Sequence, residues 1–305
     1  MPTPSRPTRQ ASLFDGVPHE PAGRQPPQGQ LLKWVGSKQR FAAAIAALLP
    51  HAYGRYIELF TGSAAVLATM APERGIAADV LGPLVALWQA VQREPDTVVG
   101  WYTEGWQALM TGDKVAAYRR LRDRYNAAPN PADLLVLTRS CYGGVIRFAR
   151  DGSMNTPCGA HRPIDPDEFA VRLARWRPRL QGVQFVHSDF EPVLDSAESG
   201  DVVYCDPPYL DSAATLYGAQ GFQFARLVAA MARAKDRGVR VALSIDGTKR
   251  SGSKVCAVPL PEGLFETEAT VDVGRSMLRR FQLAGQTLER EVVSDRLLLT
   301  WVAKS

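Results

Sequence analysis

"YIELFTGSAAVLATM" (Tyr56 to Met70), followed by "GIAADV" (Gly75 to Val80), decides the fold of this chain. Tyr56 to Phe60 alternate as a strand does, Thr61-Gly62-Ser63 turns, and Ala64 to Met70 restart as a run of helix formers. Gly75 to Val80 reads as a second strand carrying Asp79 at its end. A strand, turn, helix and strand in so short a span predict parallel pairing through a crossover, and so an α/β sheet. Small residues in the turn let backbone approach a ligand, and an acid about 20 residues further on can accept hydrogen bonds from ribose hydroxyls. Gly62 stands alone where dinucleotide binders carry three glycines, which suits an adenosyl ligand without a pyrophosphate.

The α/β pattern extends in both directions. Upstream, "LLKWVGSKQRFAAAIAALLP" predicts a helix after Gly36-Ser37, with apolar residues at Phe41, Ile45, Leu48 and Leu49, closed by Pro50. Downstream, "VQFVHSD" predicts a strand ending at Asp189, "RLVAAMARAKDRG" an amphipathic helix with a glycine stop, and "VRVALSID", "FETEATVDV" and "RLLLTWVA" further strands. Between the two halves, residues 85–182 read as helical, aromatic and arginine-rich. The expectation is a Rossmann-like sheet from residues 31–84 and 183–305, interrupted by a helical insert.

Within the second half, "DVVYCDPPY" (Asp201 to Tyr209) places Asp-Pro-Pro-Tyr directly after a short apolar strand. Two prolines forbid both a helix and continued ladder pairing, so Asp206 and Tyr209 are expected on a stiff elbow at the carboxyl end of that strand. In open α/β sheets, ligands bind there.

Composition narrows the function class. Lys and Arg outnumber Asp and Glu by 36 to 31, a mild excess that favours a polyanionic partner. The arginines concentrate in "YRRLRDRY" (Tyr118 to Tyr125) and "RLARWRPR" (Arg172 to Arg179), with Arg139, Arg147 and Arg150 between them. The four cysteines form no CxxC pair and no secretory leader is evident, so reduced thiols in a cytoplasmic, monomeric protein are expected. Cys158 and His161 lack a second ligand pair, and no metal is expected. No apolar run is long enough to span a bilayer.

Taken in order, these blocks resemble the alpha group of DNA adenine methyltransferases, the Dam-like enzymes that use S-adenosylmethionine. "KWVGSK" (Lys33 to Lys38) resembles the family's N-terminal cofactor block, "ELFTGSAAV" (Glu58 to Val66) its cofactor loop, "AADV" its ribose-binding acid, and "CDPPY" its catalytic motif. The resemblance implies a cofactor site of Trp34, Lys38, Glu58, Phe60, Gly62, Ser63, Asp79, Asp189, Phe190 and Asp206. "YGGVIRFARDGSMNTPCG" (Tyr142 to Gly159) is similar to the family's DNA-contacting hairpin, and Tyr217 and Phe222 match the aromatics of a loop that closes over the target. Double-stranded DNA is then the implied partner, met by Arg119, Arg120, Arg122, Arg124, Arg139, Tyr142, Arg147, Asn155 and Tyr217. Ala160 stands where GATC-specific members carry an arginine, so the resemblance does not imply that site.

The chemistry of the catalytic motif agrees. The exocyclic amine of adenine is a poor nucleophile because its lone pair is delocalised into the ring. Asp206 and the carbonyl of Pro207 can accept both amine hydrogens, and Asp206 stabilises the charge that develops on nitrogen. Pro208 stiffens the elbow, and Tyr209 offers a stacking face to a base flipped out of the duplex. RNA adenine methylation and a catalytically dead DNA-binding fold remain the alternatives. Residues 1–30 read as a disordered tail. Its "QASLF" (Gln10 to Phe14) resembles the short peptide by which bacterial replication proteins bind the sliding clamp.

Overall fold

The computed structural model describes residues 9–12, 24–149, 151–208, 222–249, 254–255, 260–275 and 292–303. Five parallel strands form the centre: β2 (Tyr56–Leu59), β3 (Gly75–Asp79), β4 (Val183–His187), β5 (Val202–Cys205) and β6 (Arg240–Lys249). Their order is β4-β3-β2-β5-β6, continued by β9 (Val292–Leu299) and β8 (Thr267–Arg275), with β9 antiparallel to both neighbours. These seven strands are extended by β1 (Arg9–Ser12), parallel to β8, and by the two-residue β7 (Lys254–Val255) on β6. The order reverses between β2 and β5, whose register sets Leu59 opposite Cys205. Phe60 and Asp206, next along each strand, therefore leave the sheet side by side at its topological switch point.

Both central strands are buried throughout, as parallel strands covered on two faces must be. On one face, α8 (Phe190–Asp195) and α9 (Phe224–Asp236) pack with Ile57, Val203 and Val241. The other face is covered by α1 (Ala42–Leu48), α2 (Ala65–Met70) and α3 (Gly82–Arg93), with Tyr56 and Tyr204 beneath them. The helix expected after Ser37 starts only at Ala42, and Phe41 precedes it without a side-chain cap.

The arginine-rich insert supplies α4 (Pro95–Met110), α5 (Lys114–Ala127), α6 (Pro131–Ser140) and α7 (Pro166–Trp176). Its starts are written locally. Asp113 accepts from Val115 and Ala116 N–H, and Asn130 and Asp165, each followed by Pro at the first helical position, accept from Asp133 and Glu168 N–H. The insert shares the sheet's core: Trp88 on α3 stacks on Trp176 of α7 at 5.9 Å and on Phe185 of β4 at 6.3 Å. The expected 84/85 boundary falls inside α3, which packs against β3 and β4 as well as α4 and α6.

Of the expected tail over residues 1–30, the described parts are 9–12 and 24–30, and both are held to the body. Arg9–Ser12 pairs along β8 from Thr267 to Thr270. From Arg24 the chain is sutured to the body: Arg24 donates to the carbonyls of Ala46, Leu49 and Pro50, closing the end of α1. Trp176 donates to Gly29 O, and Arg172 and Arg179 donate to Gln30 O and Gln25 O. Arginine forks meet the carbonyls that irregular backbone leaves open, so a segment poor in apolar residues is ordered by hydrogen bonds instead.

Candidate active site

The carboxyl ends of β2, β3, β4 and β5 gather the expected site residues. Lys38, carried by the loop before α1, lies 2.9 Å from Asp206 Oδ1; the lysine is 5% exposed and the aspartate 20%. Pro207 is buried and Pro208 partly so, which stiffens the chain leaving β5. Tyr209 and Tyr217 lie outside the described residues.

Gly62 forms the turn after β2 with φ +47, the left-handed region that penalises a side chain. A methyl group there would also sit 3.0 Å from Trp34 Nε1. Trp34 is buried in the main core and forms the wall against which the turn closes. From the other side Trp88 Nε1 donates to Gly62 O at 3.0 Å, a contact with no local sequence signature. Ser63 is buried and donates to Ser37 Oγ at 3.0 Å, joining the turn to the block that carries Lys38. Phe60 and Ala64 flank the turn with positive φ of 60° and 52°, strain that non-glycine residues accept where the surroundings impose it.

Asp79 ends β3 and is partly buried. Its Oδ2 accepts Gly62 N–H at 3.1 Å and its Oδ1 accepts Leu81 N–H at 3.0 Å. Burial pushes this carboxyl up, against the pull of the backbone N–H groups of Leu81, Gly62 and Val80. Beneath the turn, Glu58 is 3% exposed and accepts from Tyr56 Oη at 2.7 Å. Burial pushes the Glu58 carboxyl up to about 8, with the nearby Asp206 charge adding to the shift and the Tyr56 hydrogen bond opposing it. A neutral Glu58 avoids placing a fully buried anion beside the Asp206 carboxylate.

At the end of β4, Asp189 begins α8 and accepts Glu191 N–H, and Phe190 is buried. Phe60, Phe190 and Phe222 meet ring to ring, at 5.6 Å for Phe60 with each of the others and 6.0 Å for Phe190–Phe222. Phe222, expected over the target base, instead packs against the two aromatic rings expected at the cofactor. His187 Nε2 lies 2.9 Å from Val80 O.

The expected DNA-facing residues divide. Residues 145–158 include a hairpin, bridged at Phe148–Met154 and closed at its base by Cys141–Cys158. Ile146, Phe148, Met154 and Thr156 are buried while Arg147 and Asn155 are exposed, as period-two alternation requires; Tyr142, in the turn before the hairpin, is exposed as well. Arg147 Nε donates to Asn155 Oδ1 at 2.7 Å. At the hairpin's root Gly144 has φ +69, and a methyl group there would lie 2.7 Å from Lys33 Cβ, so the root rests directly on the Lys33–Lys38 block. Arg119 and Arg120 are exposed on α5; Arg122 is partly buried, and Arg124 forks onto Asp133. Arg139 is a correction. It is 4% exposed and donates to the carbonyls of Gln30 and Leu31, holding the N-terminal segment rather than facing a nucleic acid.

Known proteins resemble this chain over most of its length. A sequence profile of the D12 class of N6 adenine-specific DNA methyltransferases matches residues 34–263. The chain belongs to that class. This methyltransferase is 28% identical to a DNA adenine methylase of Haemophilus influenzae, over 80% of this chain and 85% of the relative. It is 27% identical to the retron Ec67 DNA adenine methylase of Escherichia coli, over 63% and 67% of the two chains. With the DNA N-6-adenine-methyltransferase of Escherichia phage P1 it shares 28% identity over 71% of this chain but only 30% of the phage protein, so the methyltransferase spans less than a third of that relative. Among solved structures, an rRNA methyltransferase of Streptomyces viridochromogenes aligns with 89% of this chain and 90% of its own at 15% identity and TM-score 0.37, too slight a likeness to bear on substrate.

Proposed function

We propose that this methyltransferase transfers the methyl group of S-adenosylmethionine to the exocyclic amine of an adenine flipped out of duplex DNA, with Asp206 as the residue that activates the amine. The observation that carries the reading is the Lys38–Asp206 ion pair at the switch point, where the N-terminal block and the catalytic motif meet. The turn at Gly62, the partly buried Asp79 carboxylate and the half-buried Phe60 ring suit an adenosyl ligand: close backbone, an acceptor for ribose hydroxyls, and an aromatic wall. When bound, the cofactor supplies a methyl group on a positively charged sulfur.

The chain's own residues do the rest. Asp206 and the Pro207 carbonyl accept the two amine hydrogens, turning the nitrogen lone pair out of conjugation. Asp206 gains most as nitrogen becomes positive, so its contribution is greatest in the transition state. Lys38 holds the carboxylate in place through one oxygen, and its burial keeps that geometry from relaxing into solvent. Exposed Arg147 and Asn155 on one face of the hairpin, with exposed Tyr142 at its root and Arg119 and Arg120 on α5, give residues 85–182 the character of a recognition module. A monomer in the cytoplasm is the corresponding physical state.

A further part of the reading concerns Gln10 to Phe14. Ala11 and Ser12 pair with Ala269 and Thr270 at the sheet edge, while Leu13 and Phe14 lie outside the described residues. Binding to a sliding clamp would draw a short edge strand off β8, a modest loss for a peptide of this length. A titration of the full chain and a Leu13→Ala, Phe14→Ala variant against the host clamp tests it; equal, weak signals from both exclude clamp binding through this peptide.

The test of the main reading is transfer of a labelled methyl group from S-adenosylmethionine to duplex DNA and, in parallel, to RNA of the same sequence. N6-methyladenine appearing in DNA is the expected product. Label confined to RNA, or none in either, would replace the reading with one of its alternatives.

A further inference from the structure

α9 lies beyond the catalytic motif in the chain and holds none of the blocks that mark the family. Its first turn nevertheless reaches the end of β4. Arg226 Nη2 donates to Asp189 Oδ1 at 3.0 Å, and Arg226 Nε and Nη2 donate to Glu191 Oε2 at 3.0 and 2.7 Å. Its guanidinium carbon lies 5.1 Å from the centre of the Phe190 ring. Two turns further on, Arg233 takes the other oxygen of Glu191 at 2.9 Å and both oxygens of Asp195. α8 is thus held to α9 along its whole length by two guanidinium forks.

The arrangement acts unequally on the two oxygens of Asp189. Oδ1 accepts from Arg226 and from Glu191 N–H, both at 3.0 Å, and so is occupied by the fold. Oδ2 has no hydrogen-bond partner among the described residues. A carboxylate has acceptor capacity on both oxygens, and the free one belongs to a side chain that is 39% exposed at the carboxyl edge of the sheet. With Oδ1 held by two donors the carboxylate plane cannot rotate freely, so Oδ2 is presented in one orientation.

We propose that Arg226 is a positioning residue for the adenine end of the cofactor: it fixes Asp189 so that Oδ2 accepts a hydrogen bond from the cofactor's exocyclic amine. This rests on the S-adenosylmethionine reading above and adds a residue that touches neither cofactor nor DNA. A preoriented acceptor rejects a ligand that offers an acceptor in the same place, because two oxygens are then brought together without a proton between them. Discrimination between an amino and an oxo group at that ring position is therefore the property that Arg226 controls. The Lys38–Asp206 pair and the Tyr56–Glu58 hydrogen bond involve neither Arg226 nor Asp189.

The experiment measures equilibrium binding of S-adenosylhomocysteine and of S-inosylhomocysteine, its 6-oxo counterpart, to the full chain without DNA. Wild type is expected to prefer the amino compound about tenfold, the size expected for one well-placed hydrogen bond to a charged group. Arg226→Met, which keeps the packing stem without the fork, should reduce that preference to about threefold or less, chiefly by weakening the amino compound. Arg226→Lys, able to pair with one carboxylate at a time, should recover part of it. A purely structural role would weaken both compounds equally and leave the ratio unchanged, and that result overturns the proposal. Equal binding of the two compounds by wild type overturns it as well. Should Arg226→Met fail to fold, the Arg226→Lys ratio decides in the same way. If wild type binds neither compound, it is the cofactor reading that fails, and the inference with it.

Discussion

Lys38 Nζ lies 2.9 Å from Asp206 Oδ1, and the lysine is the more deeply buried of the two. The pair joins the Lys33–Lys38 block to the Asp-Pro-Pro-Tyr stretch, at the point where the strand order reverses. Lys38→Met removes the buried cation beside the carboxylate and one of the contacts that orient it. Methyl transfer is expected to fall about 10- to 100-fold, the scale of a small misplacement of a reacting group. DNA affinity should change little. A gel-shift assay beside single-turnover transfer separates the two, and an unchanged transfer rate would show that the ion pair has no catalytic consequence.

Glu58 makes stability depend on pH in a defined direction. Its carboxyl ionises near 4.5 in an unfolded chain and near 8 in the fold, so folding takes up a proton between those values. Stability contributed by the neutral acid is complete below the lower value and declines as pH rises, by about 1.4 kcal/mol per unit at most. Above the upper value the loss is complete. Glu58→Gln keeps a partner for Tyr56 and removes the titration, so its stability should be flatter across this window. Urea midpoints of the cofactor-free protein at several pH values measure the difference; parallel curves for both proteins would contradict it.

The turn at Gly62 carries a third expectation. Gly62→Ala places a methyl group in a left-handed conformation and against Trp34, costing about 1–3 kcal/mol of stability. Because the same turn would form the floor of the proposed cofactor site, S-adenosylhomocysteine binding should weaken as well. Thermal melting and a binding titration read the two effects separately, and an unaltered melting temperature would show that the turn relaxes freely.

Much of this was legible in the sequence because it is local. The β2-turn-α2-β3 unit and the proline elbow after β5 are each written within a few residues, by strand periodicity, by small residues in turns and by missing N–H groups. The contacts made by single long side chains across the fold were not. Nothing near Trp88 signals that its indole holds Gly62 O, and nothing near Arg226 signals Asp189. Charge runs were the least informative feature. Arg139, Arg172 and Arg179 bond to backbone carbonyls of the N-terminal segment, and a one-dimensional count cannot distinguish them from exposed Arg119 and Arg120.

That division among the arginines predicts different losses. Arg139→Ala removes the donor for two carbonyls and should destabilise the protein by about 2–4 kcal/mol, seen as a lower melting temperature. Arg147→Ala should leave stability within about 0.5 kcal/mol and instead broaden the set of methylated sequences. Arg119→Ala and Arg120→Ala should weaken binding uniformly and each reduce the salt slope by about 1. A narrow, unchanged set of sites in the Arg147 variant would place that side chain on phosphate alone.

The central claim is that Asp206 activates an adenine amine in DNA. Its most direct test is sequencing that maps modified bases in DNA from cells expressing the wild-type chain or Asp206→Ala, with the purified variant checked for cofactor and DNA binding. The account predicts N6-methyladenine at a defined sequence with the wild type and none with the variant, although the variant still binds both ligands. Methylation persisting in Asp206→Ala, or modification of a base other than adenine by the wild type, would contradict it.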